Sequence, residues 1–180
     1  MRVLVSSDKF KGTIDAEQVC AAVGRGLRRA GHEVAELPVA DGGEGTAGAL
    51  LRARGGSWIA VESEDALGRR IEARYASLDD GATAVVEVAA ASGMWRFEPD
   101  ELNALEATTR GTGILIADAI ERGAETVMVA AGGSATTDGG IGIVEALSGI
   151  ERLPRLVVVS DVRIPFEQAA QVFGPQKGAS

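Results

Sequence analysis

The chain has 180 residues and a formal net charge of −8 from 18 basic and 26 acidic side chains, enough length for one domain of usual size or two small ones. Its 46% hydrophobic and 24% charged content excludes a disordered polypeptide, and the acidic balance argues against broad nucleic-acid binding, which needs a positive surface. One cysteine, Cys20, and one histidine, His32, exclude an internal disulfide and a multi-thiolate zinc site, and make a His-centred triad improbable. The apolar runs are too short to cross a bilayer and no export signal opens the chain, so a cytoplasmic protein without membrane contact is expected.

Residues 3–6 (VLVS) form a short apolar strand followed by a polar loop over 7–12. Asp15 with Gln18 reads as a capping pair, and Ala16, Val19, Ala22, Val23, Leu27 and Ala30 share one stripe, which predicts a helix over 15–30 closed by Gly31. A strand over 33–38, a loop over 40–46 and a helix over 47–54 complete the grammar of a parallel sheet. Strands over 58–63, 69–78 and 83–88 with tight links, one of them Asp79-Asp80-Gly81, predict a locally antiparallel or mixed region. Alternation then returns, with helices over 114–122, 141–147 and 166–172 and strands over 126–131 and 156–160. The expected fold is α/β, a parallel-sheet flavodoxin-like or Rossmann-like domain with a second, mixed-sheet α/β unit. Residues 1–60 supply the first part, 61–104 the strand-rich unit and 105–180 the returning α/β segment, and the strands over 3–6, 33–38, 126–131 and 156–160 are expected in one sheet.

Glycine supplies 24 residues, and clustered glycines mark turns or places where backbone approaches a ligand. The polar loops that follow the four expected parallel strands each carry an aspartate: Asp8, Asp41, Asp138 and Asp161. Strand carboxyl ends line one edge of an open parallel sheet, where ligands bind, so these loops are expected to converge. Gly132, Gly133, Ser134 and Thr136 offer backbone N–H groups and hydroxyls ahead of a helix, a setting for phosphate; the same Ser134 and Thr136 could instead cap that helix. Aspartates suit Mg²⁺, which takes carboxylate and phosphate oxygens together. Lysine occurs only as Lys9, Lys11 and Lys177, all in glycine-containing segments, which suggests a need for a compact point charge; at Lys9 or Lys11 such a charge could neutralise a transferring phosphoryl group. No G-x-x-x-x-G-K-[ST] and no strand-linked G-x-G-x-x-G is present, which excludes the common nucleotide loops.

Seven segments, in order, resemble the signatures of bacterial glycerate kinases: 8–12 (DKFKG), 38–46 (PVADGGEGT), 87–93 (EVAAASG), 108–113 (TTRGTG), 132–140 (GGSATTDGG), 160–162 (SDV) and 173–178 (FGPQKG). The resemblance implies two dissimilar α/β domains with a site between them. It also implies ATP-dependent, Mg²⁺-assisted phosphorylation of D-glycerate, at the 2-position in preference to the 3-position. Lys11, Asp8, Asp41 and Asp138 are then the expected catalytic residues, with Asp41 and Asp138 the candidates for Mg²⁺. Gly42, Gly43, Glu44, Gly132, Gly133, Ser134, Thr136 and Asp161 are the expected substrate- and phosphate-binding residues, although Glu44 equally suits the first turn of a helix. Lys9, a neighbouring position, is expected to face outward. The chain departs from the family pattern with Lys9 in place of Ser, Thr137 where Asn is frequent and a shortened link between Leu147 and Ser160, and the family's C-terminal half is expected to be absent. Two other readings are an incomplete kinase acting as a ligand-binding module and a GHMP-type kinase, the latter resting on Gly132-Gly133-Ser134-Ala135 alone.

Overall fold

The computed structural model describes residues 1–10 and 13–179, which divide into two compact units, Met1–Asp41 and Gly42–Ser180. In the first, β1 (Arg2–Val5) and β2 (Glu33–Glu36) pair in parallel, linked by α1 (Ala16–Arg29). Asp15 caps α1 by accepting from the Gln18 N–H at 2.7 Å, as the capping pair predicts. Gly31, at φ +83°, turns the chain out of the helix, and Cys20 is buried on it.

The second unit opens with α2 (Thr46–Arg54), followed by β3 (Ser57–Glu64), β4 (Arg70–Leu78), β5 (Thr83–Glu87) and α3 (Val88–Ser92). It continues with α4 (Arg110–Glu121), β6 (Thr126–Ala130), α5 (Ile141–Ala146), β7 (Arg155–Val159) and α6 (Phe166–Phe173). Its sheet has the order β3-β4-β5-β6-β7, antiparallel from β3 to β5 and parallel from β5 to β7. The expectation of one sheet holding the strands near 3–6, 33–38, 126–131 and 156–160 is therefore corrected. A strand has two ladder sides; those of β6 are taken by β5 and β7, and among the described residues β1 and β2 pair with each other in a two-stranded sheet. The antiparallel and parallel strands instead share one sheet, with β7 at its edge.

One face of that sheet carries the larger core, where Tyr75, Val86, Val127 and Val129 meet Leu115, Ile116 and Ala119 of α4. The other face is covered by α2, whose Ala47, Leu50 and Leu51 pack on Ala76, Leu78 and Val85. Tyr75 is buried, and its hydroxyl donates to Asp118 at 2.9 Å. Burial and the Asp118 carboxylate together push the phenol well above the usual tyrosine range. Among the described residues no helix is long and apolar enough to cross a membrane.

Helix α4 begins at Arg110, four residues before the expected start. Gly111 and Gly113 look like helix breakers in the sequence, yet both lie in the first turn because the helix touches its neighbours there. A Cβ on Gly111 would stand 1.9 Å from the Glu64 carbonyl oxygen, and one on Gly113 would stand 2.5 Å from the Ala146 Cβ. Gly48 in α2 has only an ordinary contact, 3.9 Å from Trp58. Gly111→Ala is therefore expected to lower stability by on the order of 3 kcal/mol through overpacking. Gly48→Ala is expected to raise it by about 0.5 to 1 kcal/mol by removing backbone entropy from the unfolded chain. Urea midpoints of the two variants against the parent check both signs.

Candidate active site

Three parallel strands end side by side at Glu87, Ala130 and Val159, and the glycine-rich loops are built on these ends. The Ala131 N–H donates to the Val159 carbonyl at 3.0 Å, and the Gly132 N–H donates to the Gly42 carbonyl at 3.0 Å. A Cβ on Gly42 would stand 3.0 Å from the Val159 oxygen and one on Gly132 would stand 2.7 Å from the Gly43 Cα. Backbone thus lies directly on backbone, which only residues without a side chain allow. Gly42 and Gly133 also adopt positive φ, at +89° and +75°. The Glu44 carboxylate lies beside Gly133, its Oε1 3.2 Å from the position of a Cβ there.

Glu87 closes this end of α2. Its Oε1 accepts from the Gly45 N–H at 3.0 Å and from the Ala47 N–H at 2.8 Å, placing a carboxylate at the positive end of the helix. The loop after β6 is held on its other side by Met94, whose N–H donates to the Gly133 carbonyl at 3.0 Å, and by the Ala135 N–H donating to Ser92 at 2.8 Å. Thr137 Oγ1 donates to the Ala104 carbonyl at 2.5 Å.

Asp138 has a different task from its expected neighbours. Its Oδ2 accepts from the Thr109 N–H at 2.8 Å, the Thr109 hydroxyl at 2.7 Å and the Gly142 N–H at 3.2 Å, while Oδ1 accepts from the Gly140 N–H at 3.1 Å. One carboxylate therefore ties the starts of α4 and α5 together. Burial pushes this carboxyl up, but the hydrogen bonds from Thr109, Gly140 and Gly142 outweigh it and hold the group below the usual aspartate range. Ser134 and Thr136 meet a residue not singled out among the expected site positions. Lys177 Nζ donates to Ser134 Oγ at 3.0 Å and to the Thr136 carbonyl at 2.6 Å. Burial pulls the Lys177 ammonium below the usual lysine range, with Asp138 opposing.

In the first unit the loop after β1 runs beside the segment after β2, with the Val39 N–H donating to the Ser7 carbonyl at 3.1 Å. Asp8 and Asp41 meet around Lys9, whose Nζ lies 3.1 Å from Asp41 Oδ1 and 3.8 Å from Asp8 Oδ1. The expectation that Lys9 faces outward is thus corrected: two carboxylates draw its ammonium into the loop pair. Lys11 lies outside the described residues.

The structure therefore brings together Gly42, Gly43, Glu44, Gly132 and Gly133, with Ser134 and Thr136 further along the same loop and Lys177 upon them. It separately gathers Asp8, Lys9 and Asp41. Asp161, beyond β7, is exposed and has no side-chain partner among the described residues. Lys177 and Glu87 are the positions that reasoning from sequence passed over. Both lie in segments that carry the family resemblance, Glu87 opening 87–93 and Lys177 within 173–178, and the rarity of lysine beside abundant arginine was a further signal for Lys177. For Mg²⁺, no three His, Cys, Asp or Glu side chains gather as a metal-holding set among the described residues. Of the two carboxylates expected to take it, Asp138 has both oxygens engaged within the protein and Asp41 is paired with Lys9.

Asp138→Asn is expected to lower stability by about 2 kcal/mol at neutral pH, the scale of hydrogen bonds made to a charged group. Because the native value is depressed, the contribution is present above the unfolded value near ~3.9 and is lost as pH falls through the native one. Urea midpoints of parent and variant should therefore converge as the pH is lowered towards that native value.

The glycerate kinase family model matches residues 3–154. Glycerate kinase from Bacillus subtilis (strain 168) is 37% identical over 215 aligned positions, covering 100% of this chain and 56% of that protein. Glycerate 2-kinase from Escherichia coli (strain K12) is 35% identical, again covering 100% of this chain and 56% of its own length. A crystal structure of a protein assigned as glycerate kinase 2 from Salmonella typhimurium LT2 superimposes with a TM-score of 0.78 at 33% identity, covering 100% of this chain and 58% of that one. The chain spans a little over half the length of the relatives it matches. With its strand-end glycine loops and nearly its whole length in register with them, the chain belongs to the glycerate kinase family.

Proposed function

We propose that this chain carries the hydroxy-acid and phosphate-handling loops of an ATP-dependent kinase that phosphorylates D-glycerate, at the 2-hydroxyl in preference to the 3-hydroxyl. The observation that carries the reading is the stack of Gly42–Glu44 on Gly132–Gly133 at the ends of the parallel strands, in a chain of the glycerate kinase family. The name of the Escherichia coli relative, a glycerate 2-kinase, supports the position. In the reaction the glycerate hydroxyl oxygen forms a bond to the γ-phosphorus as the bond to the ADP oxygen breaks. The hydroxyl proton leaves to a carboxylate, for which Asp8 and Asp41 are the candidates. The protein's work is positioning and neutralisation of the charge spread over the equatorial oxygens, with backbone amides of the glycine loops and Lys11 in that role. Mg²⁺, held through Asp41 together with phosphate oxygens, would supply further neutralisation.

A second reading, favoured by the chain's span of 56% of its relatives, is a ligand-binding module without turnover. Coupled ADP release on adding D-glycerate to the chain with ATP and Mg²⁺, followed by phosphorus NMR of the product, separates the two. Glycerate-dependent ADP with a 2-phospho product supports the kinase. Calorimetric binding of both ligands without ADP supports the module, and binding of neither overturns both. Where turnover is found, Lys11→Ala is expected to lower kcat about a hundredfold with little change in KM, since a contact made in the transition state speeds only the chemical step. Lys9→Ala removes the cation between Asp8 and Asp41 and is expected to lower kcat at least ~tenfold. Normal turnover in both variants would remove this loop from the mechanism.

A further inference from the structure

A charge taken out of water is normally paired; Lys9, with its side chain 12% exposed, follows that rule, and even the arginines that stay about half exposed are paired. Lys9 pairs with Asp41, Arg28 with Glu36, Arg69 with Glu101, Arg110 with Glu64 and Arg122 with Asp118. Arg96, also half-buried, spends its donors on the Ala90 carbonyl and lies over the Trp95 ring. Lys177 breaks the pattern. Its half-buried ammonium has no carboxylate within 4.0 Å among the described residues and is held by a neutral hydroxyl and a neutral carbonyl, Ser134 Oγ and Thr136 O. An ammonium has three N–H donors, and these two acceptors leave one to spare.

The position is fixed rather than adventitious. Lys177 ends a short 3-10 turn, Pro175–Lys177, closed by the Ala179 N–H donating to the Gly174 carbonyl at 3.0 Å. Gly178 follows at φ +87°, so close to the 102–104 segment that a Cβ there would stand 2.4 Å from the Leu102 carbonyl oxygen. The loop beneath the ammonium adds donors of its own. The N–H groups of Gly133 and Ser134 have no acceptor among the described residues. A cation with no directly paired carboxylate, on which Asp138 acts only from beyond ion-pair distance, set on a loop with unused N–H groups, can receive negative charge.

We propose that Lys177 is an oxyanion-binding residue of the Gly132–Thr136 loop, its spare N–H taking an anionic oxygen of the ligand while its other two hold the loop in shape. The inference deepens the kinase reading, and rests on it for the ligand's nature: the oxyanion is either a nucleotide phosphate or the carboxylate of the hydroxy acid. Lysine occurs at only three positions, so selective isotopic labelling of lysine side chains gives a sparse NMR spectrum in which the signal lost in Lys177→Arg is that of Lys177. The 180-residue chain is titrated separately with inorganic pyrophosphate, ATP with Mg²⁺, and D-glycerate. A saturable shift of the Lys177 signal is expected, with pyrophosphate and ATP if phosphate is bound and with glycerate if carboxylate is bound. Lys177→Gln is expected to weaken that ligand about tenfold, with partial rescue by Lys177→Arg. A Lys177 signal silent to every ligand that binds by calorimetry overturns the proposal, as does unchanged affinity in Lys177→Gln for the ligand that shifts it, or the absence of binding by any of the three. The parent spectrum decides the matter even if the glutamine variant fails to fold. Binding of ATP and glycerate with a silent Lys177 leaves the kinase reading intact and removes this one. A response to pyrophosphate with no binding of ATP or glycerate does the reverse.

Discussion

Backbone can lie on backbone only where no Cβ intervenes, and the second unit is organised around that constraint. At the strand ends the Gly42 carbonyl accepts from Gly132, and Gly42 itself sits against Val159. On one face of the sheet, Gly111 lets α4 touch the end of β3, and Gly113 and Gly142 let α4 and α5 close on each other. A side chain at any of these positions would wedge apart elements whose burial supplies the core of Leu115, Ile116, Val127 and Val129. The fold therefore depends on where atoms are missing as much as on where they pack. The loops at the candidate site inherit their shape from the same close approaches.

The carboxylates divide into those that build and those that remain near the expected chemistry. Asp138 and Glu87 both spend themselves on N–H groups at helix starts. Asp8 and Asp41 instead share an ammonium within a loop pair. A capping carboxylate and a reactive one have the same composition and sit in the same kind of glycine-rich segment; only the surrounding donors separate them.

That ambiguity explains what could be read from the sequence and what could not. Regular elements were legible because periodicity and capping are local: Asp15 and Gln18 announce α1, and the three middle strands fall within a residue of their expected limits. The pairing of those strands is set by distant partners. Nothing local tells β1 that β6 already has β5 and β7 as neighbours. The start of α4 at Arg110 is hidden for a related reason, since a glycine demanded by a close neighbour, as Gly111 and Gly113 are, and one that ends a helix look alike in one dimension. At the site, the glycine loops after β6 and at Gly42–Glu44 were expected together and are together. The inward turn of Lys9 and the seat of Lys177 depend on partners 32 and 41 to 43 positions away, beyond the reach of any spacing rule.

Strand β7 ends the five-stranded sheet with one ladder side open. It reads Arg-Leu-Val-Val-Val, with Leu156 43% and Val158 69% exposed. Parallel strands are ordinarily covered on both faces and flanked on both sides, and natural edge strands carry charges, prolines or bulges that discourage pairing with other chains. Here Arg155 alone provides such a deterrent within the strand. Among the described residues no strand pairs with the outer side of β7; such a side is a template for strand addition, and the valines give an added strand something to pack on. Colloidal behaviour thus follows from the topology: self-association of this chain should grow with concentration at that edge, held back mainly by the mutual repulsion of molecules that each carry a charge of −8.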